Sequence, residues 1–480
     1  SFCKNSGANF QIRVGRIAVN WNAVLPEILL SVGIILIFSF ELFLSRRYYK
    51  FLTFLAGLVP LLAVFSLLFV SVPSKTFFDV FYVDTYTLIG KALLYVITSL
   101  SLFASYDYFL KKRADYGEMT YLILTSSLGL SMLISSVNLT LLFLSLELAS
   151  VTMYILIGTF RREYLSKEAS YKYLVIGSVG TAMLAFGSAF YYGAVGSLFL
   201  KPYQGDNTLF LLSMFLILSA LALKVSSVPF HFWTPDAYEG APTPITAYIS
   251  TAPKIAVYFL LVKISTLYSH IKEWMLLVAL LSVLSMFYAS FVAYAQRSVK
   301  RLLAYSSIAH AGYFLLGLVT SDKILSSALL FYLSVYIFAA LGSFIVLAVL
   351  EKRENFTHHF MDYKGLGRYD TLLAFFFSIF LFAMIGIPPM ALFVGKLGIF
   401  MGLAKLGLLP LAILFLVASI VSTGYYLKVI VYMFMEKADK KWQSVQLSAG
   451  EAFVLSVCAT LVLLLGIFPN MLYDLIAKGL

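Results

Sequence analysis

The sequence predicts an all-α polytopic membrane protein. Of its 480 residues, 61% are hydrophobic and only 12% are charged, with a mean hydropathy of +0.92. That balance lies outside the range of soluble domains. Apolar runs of roughly 20 residues, the length that crosses about 30 Å of hydrocarbon, recur from end to end. Fourteen transmembrane helices are expected, at 23-44, 51-72, 85-106, 119-137, 139-159, 170-193, 208-228, 243-266, 273-294, 300-319, 324-350, 371-403, 407-434 and 450-474.

The connections between these segments are too short to separate domains, so 1-480 is expected to form a single transmembrane domain. Within it, the seventh and twelfth segments are both interrupted by proline, at Pro229 and at Pro388-Pro389. These segments are five apart, and because five is odd, two five-helix repeats would be inverted. Inverted repeats with broken helices are typical of secondary transporters. We therefore predict a first repeat of segments 4-8 (119-266) and a second, inverted repeat of segments 9-13 (273-434).

The net charge of +12 is explained by membrane orientation and requires no nucleic-acid partner. Nineteen Lys and Arg lie in or at the edge of the loops after odd-numbered segments, against nine on the opposite side and at the termini. Cytoplasmic loops carry such an excess of basic residues. The prediction is an integral protein of a bacterial inner membrane, or an equivalent energy-transducing membrane, with both termini on the outer side.

A few ionisable side chains lie inside the apolar segments, where they are expensive and commonly mark ion paths. Glu147 is near the middle of the fifth segment, and Lys254 lies about eleven residues, roughly 16 Å, inside the eighth. Lys224 precedes the break in the seventh segment, and Lys396 follows the break in the twelfth. We expect a proton path that runs from a Glu147–Lys224 contact through Lys254 to Lys396.

Other ionisable residues permit two interpretations. Lys172 lies near the start of the sixth segment, where its amine could equally extend to the interface, and His310 could relay protons or be a satisfied core histidine. Lys91 is expected to extend its amine to the membrane surface. For Asp236 and Glu239, in the loop after the seventh segment, a solvated or helix-capping role is favoured.

The sequence carries no sign of its own redox or nucleotide chemistry. Its two cysteines, Cys3 and Cys458, lie far apart, and no Walker loop, dinucleotide fingerprint, metal-ligand cluster or haem-binding pattern is present. We therefore predict no cofactor or metal on this chain. The energy for transport would come from an ion gradient or from a partner.

Three segments give the chain a recognisable resemblance. They are Pro229–Tyr248 (PFHFWTPDAYEGAPTPITAY) with Ala252-Pro253-Lys254 after it, Leu25–Leu29 (LPEIL), and Lys300–Tyr313 (KRLLAYSSIAHAGY). With these, the chain resembles the antiporter-like membrane subunits of respiratory complex I and the related Mrp-type cation/proton antiporters. The lysine after Ala-Pro is similar to N-type rather than L- or M-type subunits.

The resemblance implies a fourteen-helix fold that translocates protons, driven by quinone reduction with NADH in other subunits. Glu147 and Lys224 would be the paired charges, Lys254 the central lysine and Lys396 the lysine of the outward half. Further residues on the path would be Lys172, Lys300 and His310. NADH, FMN, iron-sulfur clusters and quinone would be bound by partner subunits, and the neighbours would be antiporter-like and small membrane subunits. The alternative that stays open is an Mrp-like cation/proton antiporter subunit.

Overall fold

The computed structural model describes residues 19–43, 48–112, 117–203, 205, 207–438 and 444–480. Over these ranges the chain is helical apart from turns and one short antiparallel hairpin. The first nine helices are α1 Leu25–Phe43, α2 Tyr49–Ser66, α3 Thr85–Lys111, α4 Gly117–Ser135, α5 Leu139–Ile157, α6 Tyr164–Val195, α7 Thr208–Lys224, α8 Trp233–Gly240 and α9 Thr243–Ile249. They are followed by α10 Ala252–Tyr268, α11 Lys272–Ala295, α12 Val299–Leu316, α13 Lys323–Leu350, α14 Leu366–Tyr369, α15 Thr371–Ile385, α16 Ala391–Lys405, α17 Leu409–Phe434, α18 Ala449–Ile467 and α19 Asn470–Gly479.

Each of the fourteen predicted segments overlaps at least one of these helices. Among the described residues, eleven helical segments are long and apolar enough to cross a membrane, or up to twelve if the bent pair Phe360–Tyr369 and Thr371–Ile385 is one span. The count is lower than the predicted fourteen because some helices are short or polar. Helix α7 has 17 residues, α15 and α16 have 15 each, and α12 carries Lys300 and Arg301. The polytopic helical fold is confirmed, while the count of fourteen and the repeat layout stay predictions.

The centre of the bundle is formed by α13 and by α9 with α10. In α13 and in the span formed by α9 and α10, all residues of the most apolar 18-residue stretch are buried. In α6 and α17, only 28% and 33% of the corresponding residues are buried. Helices at the periphery expose large apolar side chains, among them Phe186, Leu280 and Ile420. In a bilayer these side chains face lipid, which is as apolar as they are. A charge on α10 is thus enclosed by protein on every side.

The first predicted break is confirmed and is longer than expected. Helix α7 ends at Lys224, a turn follows, and Pro235 and Pro244 lie in the short helices α8 and α9. Proline cannot donate a backbone hydrogen bond, so carbonyls near the break need other partners. The indole Nε1 of Trp233 donates to the Leu223 carbonyl at 3.1 Å.

The predicted eighth segment is also interrupted, between α9 and α10 at Ser250 and Thr251. The two helices still form one candidate membrane span, Thr243–Tyr268, which agrees with the predicted span of 243-266. Pro253, at the start of α10, is the sequence signal for the interruption, since proline favours the first turn of a helix. As a result Lys254 lies in the first turn of a half-helix.

The second predicted break, between α15 and α16, is confirmed. Helix α15 ends at Ile385 and is followed by Gly386, whose φ of 85° is readily adopted only by a residue without a Cβ. On the other side of the break, Gly395 lets α16 approach α13: a Cβ added there would lie 2.6 Å from the Cβ of Tyr332. Close approach of the two backbones brings Lys396 to the central helix.

A two-stranded hairpin closes one end of the bundle. Strands β1 Ser74–Thr76 and β2 Phe81–Val83 pair antiparallel, with Ser74 opposite Val83. Phe81 and Val83 form a small apolar cluster with Val24 and Val70. The hairpin thereby holds the start of α1 against α3.

Candidate functional site

Lys254 lies at the centre of the bundle with only neutral groups around its amine. The residue is 2% exposed. Its Nζ donates to the carbonyl and to the hydroxyl of Ser307, both at 2.6 Å, and lies 5.2 Å from the centre of the Tyr336 ring. None of the described carboxylates forms an ion pair with it. Deeply buried lysines without an acidic partner are the kind that change protonation state readily.

His310 lies beside the same tyrosine and connects it to the second half of the chain. The His310 and Tyr336 rings are 4.6 Å apart. The Nδ1 of His310 is 2.9 Å from the Tyr332 hydroxyl, and its Nε2 is 3.1 Å from the Tyr426 hydroxyl. Both ring nitrogens therefore have hydroxyl partners that can either donate or accept. The two interpretations of His310 are compatible: it is a satisfied core histidine in a position suited to a relay.

Lys396 lies on the far side of His310, at the break between α15 and α16. Its Nζ donates to the carbonyls of Met384 and Ile385, at 3.0 and 2.8 Å, and to the Ser419 hydroxyl at 3.0 Å. These carbonyls are available because helix α15 ends just after them. The amine lies 5.4 Å from the Tyr313 ring, which is 5.4 Å from His310. The order across the centre is therefore Lys254, Tyr336, His310, Tyr313, Lys396.

Glu147 and Lys224 lie on facing helices but do not form the direct contact expected from the sequence. Lys224 donates to the Ser150 hydroxyl at 2.8 Å, while Glu147 accepts from the Thr181 hydroxyl at 2.5 Å. Glu147 and Ser150 are three residues apart on α5 and share one face of the helix. The partner of Lys224 therefore lies one helical turn from the carboxylate of Glu147.

Lys224 and Lys254 have separate hydrogen-bond partners, and α8 contacts one of them. Lys224 and Lys254 share no hydrogen-bond partner within the described ranges. The Tyr238 hydroxyl on α8 is 3.5 Å from the hydroxyl of Ser307, the residue that binds Lys254. Tyr238 therefore links α8 to Ser307, the residue that binds the central lysine.

Lys172 belongs to a network of charges at the edge of the bundle. Its amine is 2.7 Å from Glu168 and 2.8 Å from Asp236, and its side chain is 39% exposed. Arg301 completes the network by contacts with Asp236 and Glu239, at 2.8 and 2.6 Å. The solvated role favoured for these two acids agrees with side chains that are 27% and 34% exposed, and the structure adds ion pairs to helices α6 and α12.

Asp236 shows the electrostatic effect of this network. Burial raises the pKa of its carboxyl, but the hydrogen bonds from Lys172 and Arg301 outweigh burial and hold the pKa below its usual value. Asp236 is therefore ionised at neutral pH. Lys300, the other candidate at this end, is 3% exposed and donates to the Ala241 carbonyl at 2.9 Å.

Lys91 and Glu27 form a buried ion pair that was not predicted from the sequence. Lys91 is 0% exposed, and its Nζ is 2.8 Å from Glu27 and 4.6 Å from the centre of the Phe81 ring. The Tyr95 and Ser131 hydroxyls also bind the Glu27 carboxylate. The interpretation of Lys91 as an amine that extends to the surface is wrong, because α1 supplies a carboxylate inside the bundle.

Within the described residues, no group of three or more His, Cys, Asp or Glu side chains is arranged to hold a metal ion. Cys458 is buried and forms no disulfide, and Cys3 lies outside the described residues. The expectation that this chain carries no cofactor stays a prediction.

Broken helices that surround a row of buried lysines and a histidine define an antiporter-like ion-transporting membrane protein. The family model for the membrane region of NADH:quinone oxidoreductases and Mrp antiporters matches residues 136–422. The chain belongs to this NADH:quinone oxidoreductase/Mrp antiporter family, which confirms the resemblance seen in the sequence.

Known relatives narrow the comparison to one kind of subunit. "NADH-quinone oxidoreductase subunit N 1" of Aquifex aeolicus is 57% identical over 96% of this chain and 100% of its own length. Among solved structures, respiratory complex I from Thermus thermophilus contains a chain with a TM-score of 0.80 and 28% identity, covering 94% of this chain and 99% of that one. The Mrp complex from Dietzia contains a chain with a TM-score of 0.83 and 20% identity, covering 96% and 97%, which shows a shared fold.

Proposed function

We propose that this chain is a proton-translocating membrane subunit of an NADH:quinone oxidoreductase, the role that the names of its subunit N relatives indicate. The observation that carries the proposal is the row of titratable groups from Lys254 through His310 to Lys396. Among the described residues, the recorded partners of the two amines are hydroxyls, carbonyls and aromatic rings. Such a row suits proton transfer because no member is fixed in its charged form by a carboxylate.

The energetic argument favours transfer over a structural role. A lysine at the centre of an apolar bundle costs roughly 3 kcal/mol on insertion scales. Lys254 and Lys396 recover part of this cost from neutral hydrogen-bond partners, whereas a residue needed only for packing could be leucine or methionine at lower cost. Retaining the amines at that cost indicates a use for their charge.

The proposed sequence of events follows the order of the groups. When the Lys224 amine moves from Ser150 toward Glu147, its charge is neutralised locally, which favours protonation of Lys254 beyond it. The proton on Lys254 then passes by way of His310 to Lys396. From Lys396 it leaves toward the outer side. Tyr332 and Tyr426 position the imidazole by their hydrogen bonds.

The driving force would come from outside the chain. Moving one charge against 100 mV costs about 2.3 kcal/mol, and we assign no redox centre, metal or cofactor to this chain. NADH, FMN, iron-sulfur clusters and quinone would be bound by partner subunits, with antiporter-like and small membrane subunits as neighbours. The protein would lie in a bacterial respiratory membrane with fourteen spans, two inverted repeats (119-266 and 273-434) and both termini outside.

The test is proton pumping by the complete complex in sealed vesicles. Lys254→Met keeps the volume and apolar stem but removes the charge, and should lower proton-coupled NADH oxidation about tenfold or more. Lys254→Arg, which holds its proton permanently, should also fail. NADH oxidation with an artificial electron acceptor should stay normal in both variants. Wild-type pumping by Lys254→Met would refute the proposal.

An Mrp-like cation/proton antiporter is the second candidate, favoured only by the shared fold. The two candidates differ in their companions and in their driving force. Copurification with flavin- and iron-sulfur-containing subunits supports the first, and sodium- or potassium-dependent proton exchange without NADH supports the second.

A further inference from the structure

A second cluster of titratable side chains lies where helices α3 and α13 end and helices α9 and α12 begin. Glu351, which directly follows α13, lies at the centre of this cluster. Its carboxylate accepts a hydrogen bond from the Thr243 hydroxyl and lies 3.5 Å from Nε2 of His358 and 3.8 Å from Nζ of Lys112. The His358 side chain is 9% exposed, and its other ring nitrogen is 3.2 Å from the Tyr363 hydroxyl.

The charges around this cluster set the protonation of both groups. Burial raises the pKa of Glu351, but Lys300, His358 and Thr243 outweigh it, so the pKa lies below its usual range. Burial lowers the pKa of His358, although Glu351 opposes this effect. Titratable or charged groups that face Glu351, His358 or Lys300 from other elements are Tyr108 and Lys112 at the end of α3, Glu163 before α6, Glu239 on α8, and Asp362 and Tyr363 after α13. At neutral pH, Glu351 is ionised and His358 is neutral.

One side of the cluster is open to solvent. Lys112, whose side chain is 36% exposed, lies between Glu351 and a polar cleft of about 830 Å³. Glu118, Arg161 and Glu163 also line this cleft. Lys112 therefore contacts the cleft and also lies within 3.8 Å of the Glu351 carboxylate.

The other side of the cluster faces the central lysine. Lys300 and Ser307 are seven residues apart on α12, which places them on the same face, two turns or about 10 Å apart. Ser307 holds the amine of Lys254. Helix α12 therefore connects the Glu351 cluster with the centre of the bundle.

We infer that Glu351 and His358 form a proton-loading site and that Lys300 passes the proton toward Lys254. The inference rests on the proposed proton translocation and extends it to the side where protons are taken up. A proton from water in the cleft binds the neutral His358 ring, and the imidazolium is stabilised by the Glu351 carboxylate. Once Lys300 has passed its own proton toward Lys254, the imidazolium releases its proton to the amine that this leaves neutral; Lys300 becomes an ammonium again and the ring returns to its neutral form.

The chain offers matched controls for both residues. Glu354 is three residues from Glu351 and exposed, and His359 is next to His358 and exposed. In the complete complex in vesicles, Glu351→Gln and His358→Gln should each lower proton-coupled NADH oxidation about tenfold at neutral pH, whereas Glu354→Gln and His359→Gln should match wild type. Glutamine keeps an oxygen that can accept the Thr243 hydrogen bond.

The pH profile separates loading from folding. When the loading site is lost, lowering the pH on the uptake side by about one unit should restore most of the rate, because more protons offset slower capture. A loss that is uniform at every pH, or activity equal to that of the controls, would overturn the inference. If Lys254→Met stops pumping while Glu351→Gln and His358→Gln do not, this inference alone fails; normal pumping by Lys254→Met refutes the proposed function itself.

Discussion

Buried cations of this chain fall into two groups that differ in their partners. At the centre, Lys254 and Lys396 are surrounded by hydroxyls, carbonyls and aromatic rings. Nearer the ends of the bundle, Lys91 is paired with Glu27 and Lys352 with Glu451. All four lysines are at most 8% exposed. Burial alone therefore does not separate them; the presence of a carboxylate does.

This difference separates two tasks. A buried ion pair fixes both charges, because removing either proton or partner leaves the other charge uncompensated in an apolar setting. An amine held by neutral groups can lose or gain its proton without leaving a buried carboxylate unpaired. We therefore propose that the central lysines transfer protons and that the paired lysines near the ends stabilise the fold.

The largest expected effect is on stability, from breaking a paired lysine. Glu451 is 0% exposed, accepts from Lys352 at 2.6 Å and also binds the backbone N–H of Ser448 at the start of α18. Lys352→Met should destabilise the fold by about 3–5 kcal/mol, since it leaves the carboxylate unpaired. Thermal unfolding in detergent measures this loss. The double variant Lys352→Met/Glu451→Gln should recover much of it; no recovery would mean that the pair is not the cause.

The second largest effect is expected on proton pumping, when a lysine without a carboxylate partner is replaced. Lys396→Met should lower proton pumping about tenfold and leave the unfolding midpoint equal to or above that of wild type, because burying a thioether costs less than burying an amine. Vesicle pumping and thermal unfolding of the same preparation decide the point. A large fall in the midpoint would place Lys396 with the structural lysines.

A smaller effect is expected at the histidine between the two central lysines. Tyr426→Phe removes one hydrogen bond to His310, worth about 1 kcal/mol, which is about fivefold in rate. The pumping rate should fall while assembly of the complex stays normal. Unchanged pumping would show that the orientation of His310 is not limiting.

The smallest effect is expected at the partly exposed network of Lys172 and Asp236. Exposed pairs contribute about 0.2–1 kcal/mol and are screened by salt, so Lys172→Gln should lower stability slightly and more at low salt. Because the folded-state pKa of Asp236 is depressed, its contribution is full above its unfolded-state pKa and disappears as the pH falls through the lower, folded-state value. Unfolding midpoints measured against pH and salt test both effects, and a salt-independent change would contradict the assignment.

The sequence predicted what depends on local pattern. Apolar runs located the helices, proline marked the breaks at Pro229 and Pro388, and the expense of a charge in lipid selected Lys254 and Lys396. It could not predict which side chains meet across helices. Glu27 and Lys91 look like two charges near helix ends until the fold brings α1 against α3.

The same limit applies to the candidate site. The α9–α10 break was missed because two residues, Ser250 and Thr251, do not interrupt an apolar run visibly. Ser150, Tyr336 and Tyr426 carry no charge, so nothing in the sequence distinguishes them from other core residues. Their roles become visible only as partners of Lys224, Lys254 and His310.

The most direct test compares one lysine of each kind in the same assay. Lys254→Met and Lys91→Met complexes should be reconstituted into vesicles, with proton pumping and unfolding midpoint measured on each. We predict that Lys254→Met abolishes proton pumping and leaves the unfolding midpoint unchanged. Lys91→Met should lower the unfolding midpoint and leave the pumping rate per assembled complex normal. The reverse pattern, or equal losses in both variants, would contradict the division between conducting and structural lysines.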